Sequence, residues 1–300
     1  MSTLPTVFVL GAGPIGQALV RDLVASGVSV SGVWARREVQ AQAAGQGAGV
    51  ASYSGTFPDA IEQADVLILA VRDSAISELS EALLSANCLR DNHVLLHCSG
   101  ASSATRVFSP VLAKVAGVGT IHPLAAMANV GGPPSSLLGL RYGIEGDVRG
   151  RAVAKQLCSA MSGVALELRA SQMAGYHAAA SIASNFLVAL LDSSRALLEA
   201  QGIDAELAMP SLCDLAIGAI ENVRERGLPG ALTGPIRRGD TETVRGHLQA
   251  ITTSCPEIES VYRELGLAAL KLADGCGDIT DTESDELRDL LEIKKTEQFS

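Results

Sequence analysis

The chain has no run of lysine or arginine. Its 300 residues hold 23 Lys and Arg against 33 Asp and Glu, a net charge of −10 at neutral pH, and a surface of that sign repels phosphate backbones. Nucleic acid is not an expected partner. Cysteine pairs are missing too: Cys88, Cys98, Cys158, Cys213, Cys255 and Cys276 form no C-x-x-C motif. That argues against a metal clip or a redox couple, and predicts free thiols and a reducing, cytoplasmic setting. Met1 to Pro5 carries no basic residue ahead of an apolar stretch, as an export signal would. The most apolar long stretch, Ala178 to Leu191, is interrupted by Ser181, Ser184 and Asn185 and is shorter than the roughly 20 residues a bilayer requires. No membrane span is expected. The five histidines show no metal-ligand spacing, and no internal repeat is evident.

What is present is a folded chain, 47% hydrophobic and 19% charged, long enough for two domains at roughly 100 to 200 residues each. In the first half, β-branched runs alternate with helical patterns, which predicts a parallel sheet covered by helices. Strands are expected at Val7 to Leu10, Val28 to Trp34, Val66 to Val71, His93 to His97 and Val118 to Ile121. Leu140 to Ile144 and Val164 to Leu168 extend the sheet. Pro14 to Ser26 places Ile15, Leu19 and Leu23 four apart, one apolar stripe of a helix. After Arg169 the β-branched runs stop, and helices are expected at Ser171 to Gln201, Asp204 to Arg226, Asp240 to Ala250 and Pro256 to Asp274. Gly227 to Gly239, with four glycines and two prolines, reads as a loop. The expected fold is α/β, a Rossmann-type mostly parallel sheet over residues 1–168, then a smaller all-α domain over 169–283 and a tail over 284–300.

TVFVLGAGPIG puts Gly11, Gly13 and Gly16 directly after a strand and at the opening of a helix, the context a dinucleotide fingerprint requires. Gly11 permits the tight turn, Gly13 lets backbone approach a diphosphate, and Gly16 lets helix and strand pack closely. Pro14 suits the first helical turn. Ala12, Pro14 and Ile15 complete the cradle, whose helix N-terminus favours an anion. The second strand ends in Trp34, Ala35, Arg36, Arg37, where an NAD site places a carboxylate some 20 residues beyond the glycines. Two guanidiniums suit the 2′-phosphate of NADP instead; the alternative is a pair of solvated arginines.

Ligands of an open α/β sheet lie beyond the carboxyl ends of its strands, which selects Ala70 to Asp73 with Val71 and Arg72 among them, His97 to Gly100 with Ser99 among them, and Ile121 to Leu124 with His122 and Pro123. Asp73 and Ser74 open a helix, where N-capping is the simpler role. His93 and His97 read as structural, and His247 as a residue of an exposed helix. In YHAAASIASNFLVALL, His177, Ser181, Ser184 and Asn185 lie within about 100° on one helix face. Such a polar stripe must pair with another helix or with a ligand.

GAGPIG, ADVLILAVRD, HCSGA, HPLAAM, GIEGD, YHAAASIASNFLVAL and ALTGPIRRGD, in that order, resemble a family of Rossmann-like oxidoreductases whose C-terminal domain is of unknown function. It is related to ketopantoate reductases, pyrroline-5-carboxylate reductases and β-hydroxyacid dehydrogenases, with a C-terminal domain like that of 6-phosphogluconate dehydrogenase. The resemblance implies hydride transfer with NADP, a small-molecule substrate and a homodimer formed through the helical domain. Ketopantoate reductases carry Lys-x-x-x-Asn on the long helix; here Asn185 matches and Ser181 replaces the lysine. Gly239, Asp240, Thr241 and Glu242 match a G-R-x-T-E-type segment in part.

His177 or His122 could supply the missing acid near pH 7, with Ser181 and Asn185 orienting the substrate. Loss of the lysine fits imine reduction equally well, since a protonated imine needs no acid. Pro123, Ser184, Thr233 and Arg237, with Arg238, are candidates to meet the substrate; for the arginines the alternative is again a solvated surface. The implied activity is reduction of a small carboxylate-bearing carbonyl compound, a ketopantoate-like 2-oxo acid first. An imine reductase of the pyrroline-5-carboxylate type and a nicotinamide-nucleotide-binding protein without turnover are the alternatives.

Overall fold

Strands that are apolar at every position, rather than at every second one, can be stable only if both faces are covered. VFVL and VLIL are such runs, VLLH is one up to its final histidine, and all of their residues are buried. A computed structural model of the chain describes residues 4–127 and 136–292. It divides into two units at Ser184 and Asn185, later than the sequence boundary at 168.

The first unit runs β1 (Val7–Leu10), α1 (Pro14–Ala25), β2 (Val30–Trp34), α2 (Glu38–Gln46), β3 (Ser52–Tyr53), β4 (Val66–Leu69), α3 (Ile76–Ser85), β5 (Val94–His97), α4 (Ala104–Val107), β6 (Gly117–Pro123), β7 (Arg141–Gly146), α5 (Val148–Ala160), β8 (Val164–Glu167) and α6 (Met173–Ala183). The sheet has the order β3-β2-β1-β4-β5-β6-β7-β8. All pairings are parallel except β6 with β7. Val7, Val9, Val66, Ile68, Val94 and Leu96 share one core with α1 and α5. The alternate residues Phe8, Leu10, Leu67, Leu69 and Leu95 share a second core with α3 and α4. Leu10, Leu69, His97 and Thr120 are in register across four strands, so Gly11, Ala70 and Cys98 leave the sheet along one edge. β6 reaches two residues beyond its predicted end and carries His122 and Pro123 into the pairing with β7.

In the second unit, α7 (Asn185–Ala200) packs on α8 (Ala205–Ala231), and α9 (Thr241–Ser254), α10 (Glu259–Asp274) and α11 (Asp281–Leu291) enclose a small core of Val244, Leu248, Leu270, Leu287 and Leu291.

Three expectations are corrected. The predicted helix Ser171 to Gln201 breaks at Ser184, whose φ of −120° and ψ of −75° end α6, so one 3.6-residue stripe does not run from His177 to Asn185. Ser181, Ser184 and Asn185 lie at this point, and serine and asparagine are residue types that favour helix ends over helix interiors. The predicted loop at 227–239 is helical over its early part: Gly227, at φ +74°, kinks α8, and the chain resumes helix to Ala231. Pro229 is tolerated there because it falls in the first turn after the kink. The tail begins as helix, α11 continuing to Leu291 behind a capping box of Thr280 and Glu283; residues 293–300 lie outside the described residues.

Candidate functional site

The turn after β1 is built by exclusion. Gly11 has φ +116°, and a Cβ there would stand 2.3 Å from the Ala70 carbonyl oxygen; one on Gly16 would stand 1.9 Å from the Gly11 carbonyl oxygen. Only glycine fits either position. Gly13 is the opposite case, since nothing lies within 4 Å of the place its Cβ would occupy. α1 begins at Pro14 with no side-chain cap and no acidic residue in its first turn, so its positive end faces open space beside Gly13. Ala12 is buried and Ile15 half-buried. This cradle fits the diphosphate of a dinucleotide. Arg36 and Arg37 follow the buried Ala35, are exposed, and make no ion pair among the described residues, which leaves both guanidiniums available at the end of β2.

Along the same edge, Ala70 is nearly buried, Val71 half-buried and Arg72 exposed. Ser99 and Gly100 are buried. The Ser99 backbone N–H donates to His97 Nδ1 at 3.1 Å, so the other ring nitrogen carries the proton and donates to Thr120 Oγ1 at 3.0 Å. Burial, and the neighbouring His122, push the His97 pKa down to about 3. His97 is thus the neutral structural residue that its strand position implied, as is His93, buried at the other end of β5 and accepting from the Arg90 N–H. Asp73 is the first residue of a short turn, Asp73–Ala75, whose cap position is Arg72, and its Oδ2 accepts from Ser99 Oγ at 2.7 Å.

His122 and His177 meet over Gly100, their rings 6.0 Å apart. A Cβ on Gly100 would fall 2.8 Å from both imidazoles. Tyr176 joins them, its hydroxyl 2.8 Å from His122 Nδ1. The phenol can lie so close because its neighbour on β7 is Gly143, where a Cβ would stand 2.5 Å from the hydroxyl oxygen. Burial raises the Tyr176 pKa to about 12, against a hydrogen bond from the Gly143 backbone that lowers it. With the phenol oxygen accepting there, its O–H donates to His122 Nδ1. His122 is pushed down to about 4 by burial and then by His177, while Asp73 pulls the other way. At neutral pH this is an uncharged imidazole on a protonated phenol.

The other candidates fare differently. Pro123 is buried and in register with Tyr142; it restrains the strand next to His122 and does not line a surface. Ser181 is half-buried on α6, Ser184 sits at the helix break, and Asn185, exposed, opens the second unit. Thr233 is exposed. Arg237 is already held by an ion pair with Asp278 and by the Leu232 carbonyl at 3.2 Å, so it braces its own loop instead of standing ready for a carboxylate. Asp240 caps α9 by accepting from the Thr243 N–H at 3.0 Å, which gives the partial G-R-x-T-E match a local structural role. Sequence reasoning gave Tyr176 no role of its own and preferred capping for Asp73, although they stand at the head of YHAAASIASNFLVAL and the end of ADVLILAVRD; each meets its partner, Gly143 or Ser99, from far along the chain.

Residues 6–97 match the family described as NADP oxidoreductase, coenzyme F420-dependent, and residues 140–269 match a domain of unknown function, DUF2520. No curated protein matches the chain. Among solved structures, a protein of Thermotoga maritima is similar at 23% identity and a TM-score of 0.66, covering 90% of this chain and 98% of its own. A pyrroline-5-carboxylate reductase of Coxiella burnetii is 17% identical with a TM-score of 0.61, covering 97% and 100%. An imine reductase of Myxococcus stipitatus in complex with NADP+ is 17% identical with a TM-score of 0.60, covering 91% and 94%. At these identities the structures share the fold. The first match runs from β1 to β5, along the edge that carries the glycine turn, and the second begins at β7 and ends within α10.

Proposed function

We propose that this NADP-dependent oxidoreductase reduces the C=N bond of a small imine. The observation that carries the proposal is the His122–Tyr176 pair seated beyond the sheet edge, 2.8 Å apart, with pKa values of about 4 and about 12. At neutral pH His122 carries no second proton to give, and the Tyr176 proton is engaged with His122 Nδ1. Carbonyl reduction creates an alkoxide that requires a proton in the transition state, whereas a protonated imine brings its proton with it. The ketopantoate-like 2-oxo acid implied by resemblance finds no support in the structural similarities, which include pyrroline-5-carboxylate and imine reductases.

NADPH, when bound, supplies the hydride. Gly11, Gly13 and Gly16 and the first turn of α1 hold its diphosphate, and Arg36 and Arg37 read its 2′-phosphate. Gly100 keeps the two imidazoles close to backbone. Tyr176, its O–H directed to His122 Nδ1, fixes the imidazole ring so that its other nitrogen faces the substrate with an N–H donor. A panel of cyclic imines and 2-oxo acids, followed by NADPH consumption, tests this. Turnover is expected on cyclic imines at a kcat/KM at least about tenfold above that on 2-oxo acids. Turnover confined to 2-oxo acids would overturn the proposal, and tight NADPH binding without turnover on either panel would favour a binding protein.

A homodimer through the second unit belongs to the same proposal. α7 buries no residue and α8 only Ala208, while Phe186, Val188, Leu207, Leu215 and Ile217 stand more than half exposed. Across its break at Ser184, the run Ala170–Ala200 has the length of a membrane span, and its 18-residue apolar window is not buried. Asp192, Arg195 and Glu199 on α7 form ion pairs with one another, which suits a protein contact and not lipid. Sedimentation of the purified chain should give a dimer, and Leu215→Asp should shift it towards monomer; a monomeric wild type removes this part.

A further inference from the structure

The geometry points to Asp73 as the counter-charge that selects a cationic substrate, a protonated cyclic imine, and to Ser99 as the positioning residue that holds it. This rests on the imine proposal above. Ser99 is 4% exposed and fixed at three points. Its Oγ donates to Asp73 Oδ2 at 2.7 Å, the same Oγ accepts from the Ala101 N–H at 3.2 Å, and its backbone N–H donates to His97 Nδ1 at 3.1 Å. His97, fully buried, is itself tied to Thr120 on β6. One oxygen of the carboxylate is thereby anchored to the sheet.

Its other oxygen makes no hydrogen bond among the described residues, and the Asp73 residue is exposed. The next residue after Ser99 is Gly100, on which His122 and His177 sit. A rigid negative charge therefore stands one residue from the imidazoles, and His122 feels it. His97 and His122, both neutral at pH 7, offset none of it.

The charge has a defined task. When hydride reaches the carbon of a protonated imine, the C=N π pair moves to nitrogen, the nitrogen keeps its hydrogen, and a cation becomes a neutral amine. A carboxylate beside the nitrogen stabilises the protonated form, keeps the carbon electrophilic, and favours it over a neutral carbonyl compound of equal shape.

The test compares binding of pyrrolidinium with its neutral isostere tetrahydrofuran, by calorimetry on the full chain saturated with NADP+. Wild type should prefer the cation by about tenfold or more, the scale of one partly screened charge pair. Asp73→Asn should bring the ratio near one while leaving tetrahydrofuran unchanged. Ser99→Ala should weaken only the cation, and Ser99→Thr, which keeps the hydroxyl, should restore it. An undiminished preference in Asp73→Asn, or binding of neither probe, overturns the inference. Should Asp73→Asn fail to fold, a wild-type preference insensitive to added salt does the same. Cation preference that depends on Asp73 without turnover of any imine would remove the proposed reaction and leave the cation site. Imine turnover with no such preference would do the reverse.

Discussion

In the first unit, the strands β1, β4 and β5 are buried at every residue, and the groups that carry chemistry stand just past their ends. In the second, two long helices leave large apolar residues on the surface, and the core among the described residues is the small cluster under α9, α10 and α11. The same kind of residue, a leucine or a valine, thus fills a core in one half and in the other awaits a covering. A sheet closed on both faces is complete as a monomer, whereas an amphipathic helix pair with one face open is complete only in an assembly. The difference also explains where chemistry can be placed. A rigid edge holds side chains to within tenths of an ångström, and a site needs that support.

The largest expected effect tests the rigidity of the first unit. Gly16→Val would drive its Cβ against the Gly11 carbonyl oxygen, 1.9 Å away, and should cost about 3 kcal/mol or more or prevent folding. The Cβ of Gly13→Val has no neighbour within 4 Å among the described residues, so the fold and its melting temperature should survive while NADPH binding is lost. Melting curves and calorimetry on the two variants separate a packing glycine from a ligand-facing one. A stable Gly16→Val, or a Gly13→Val that binds NADPH normally, would break the distinction.

Acid should act on the first unit through its buried imidazoles. His97 and His122 have folded pKa values of about 3 and about 4, below the roughly 6.5 of an unfolded histidine. The unfolded chain therefore binds more protons once pH falls below about 6.5, so their full contribution is present above that value and declines towards the folded pKa values. Each should steepen the loss by up to about 1.4 kcal/mol per pH unit. The second unit holds one histidine, His247, exposed on α9 and bonded to Tyr262 at 2.8 Å. Denaturant unfolding between about pH 7 and about pH 5 should show the decline, and His97→Gln should flatten it. A pH-independent stability of the first unit would contradict the burial argument.

How far the sequence could be read follows from the same contrast. The glycine turn, the strand series and His122 beside Pro123 were legible because each is a local pattern with a local cause. β3, two residues long, lacks the length for any pattern. The break at Ser184 was invisible because 3.6-residue spacing continues in the sequence whether or not the backbone follows it. Tyr176 and Asp73 depend on Gly143 and Ser99, partners that only the sheet order brings near. Arg237 looked available because its counter-ion, Asp278, lies far along the chain.

Arg36 and Arg37 sharpen the comparison from the cofactor side. Replacing both with Ala should weaken NADPH by at least about tenfold, near 1.4 kcal/mol, with little change for NADH and none in melting temperature, because neither side chain is paired among the described residues. Equal losses for the two nucleotides would mean that the 2′-phosphate is read elsewhere.

The smallest effect concerns Asp240 in the second unit. Its Oδ1 accepts from the Thr243 N–H and its Oδ2 from the Thr243 hydroxyl at 2.7 Å, and these bonds with Thr243 hold the Asp240 pKa below the usual carboxylate range. If capping is its whole task, Asp240→Ala should lower the melting temperature slightly and leave kcat and KM as they were, and Asp240→Asn, an equally good cap, should restore the temperature. A changed KM at unchanged stability would instead return the segment to the site and weaken the division of labour between the sheet edge and the helices.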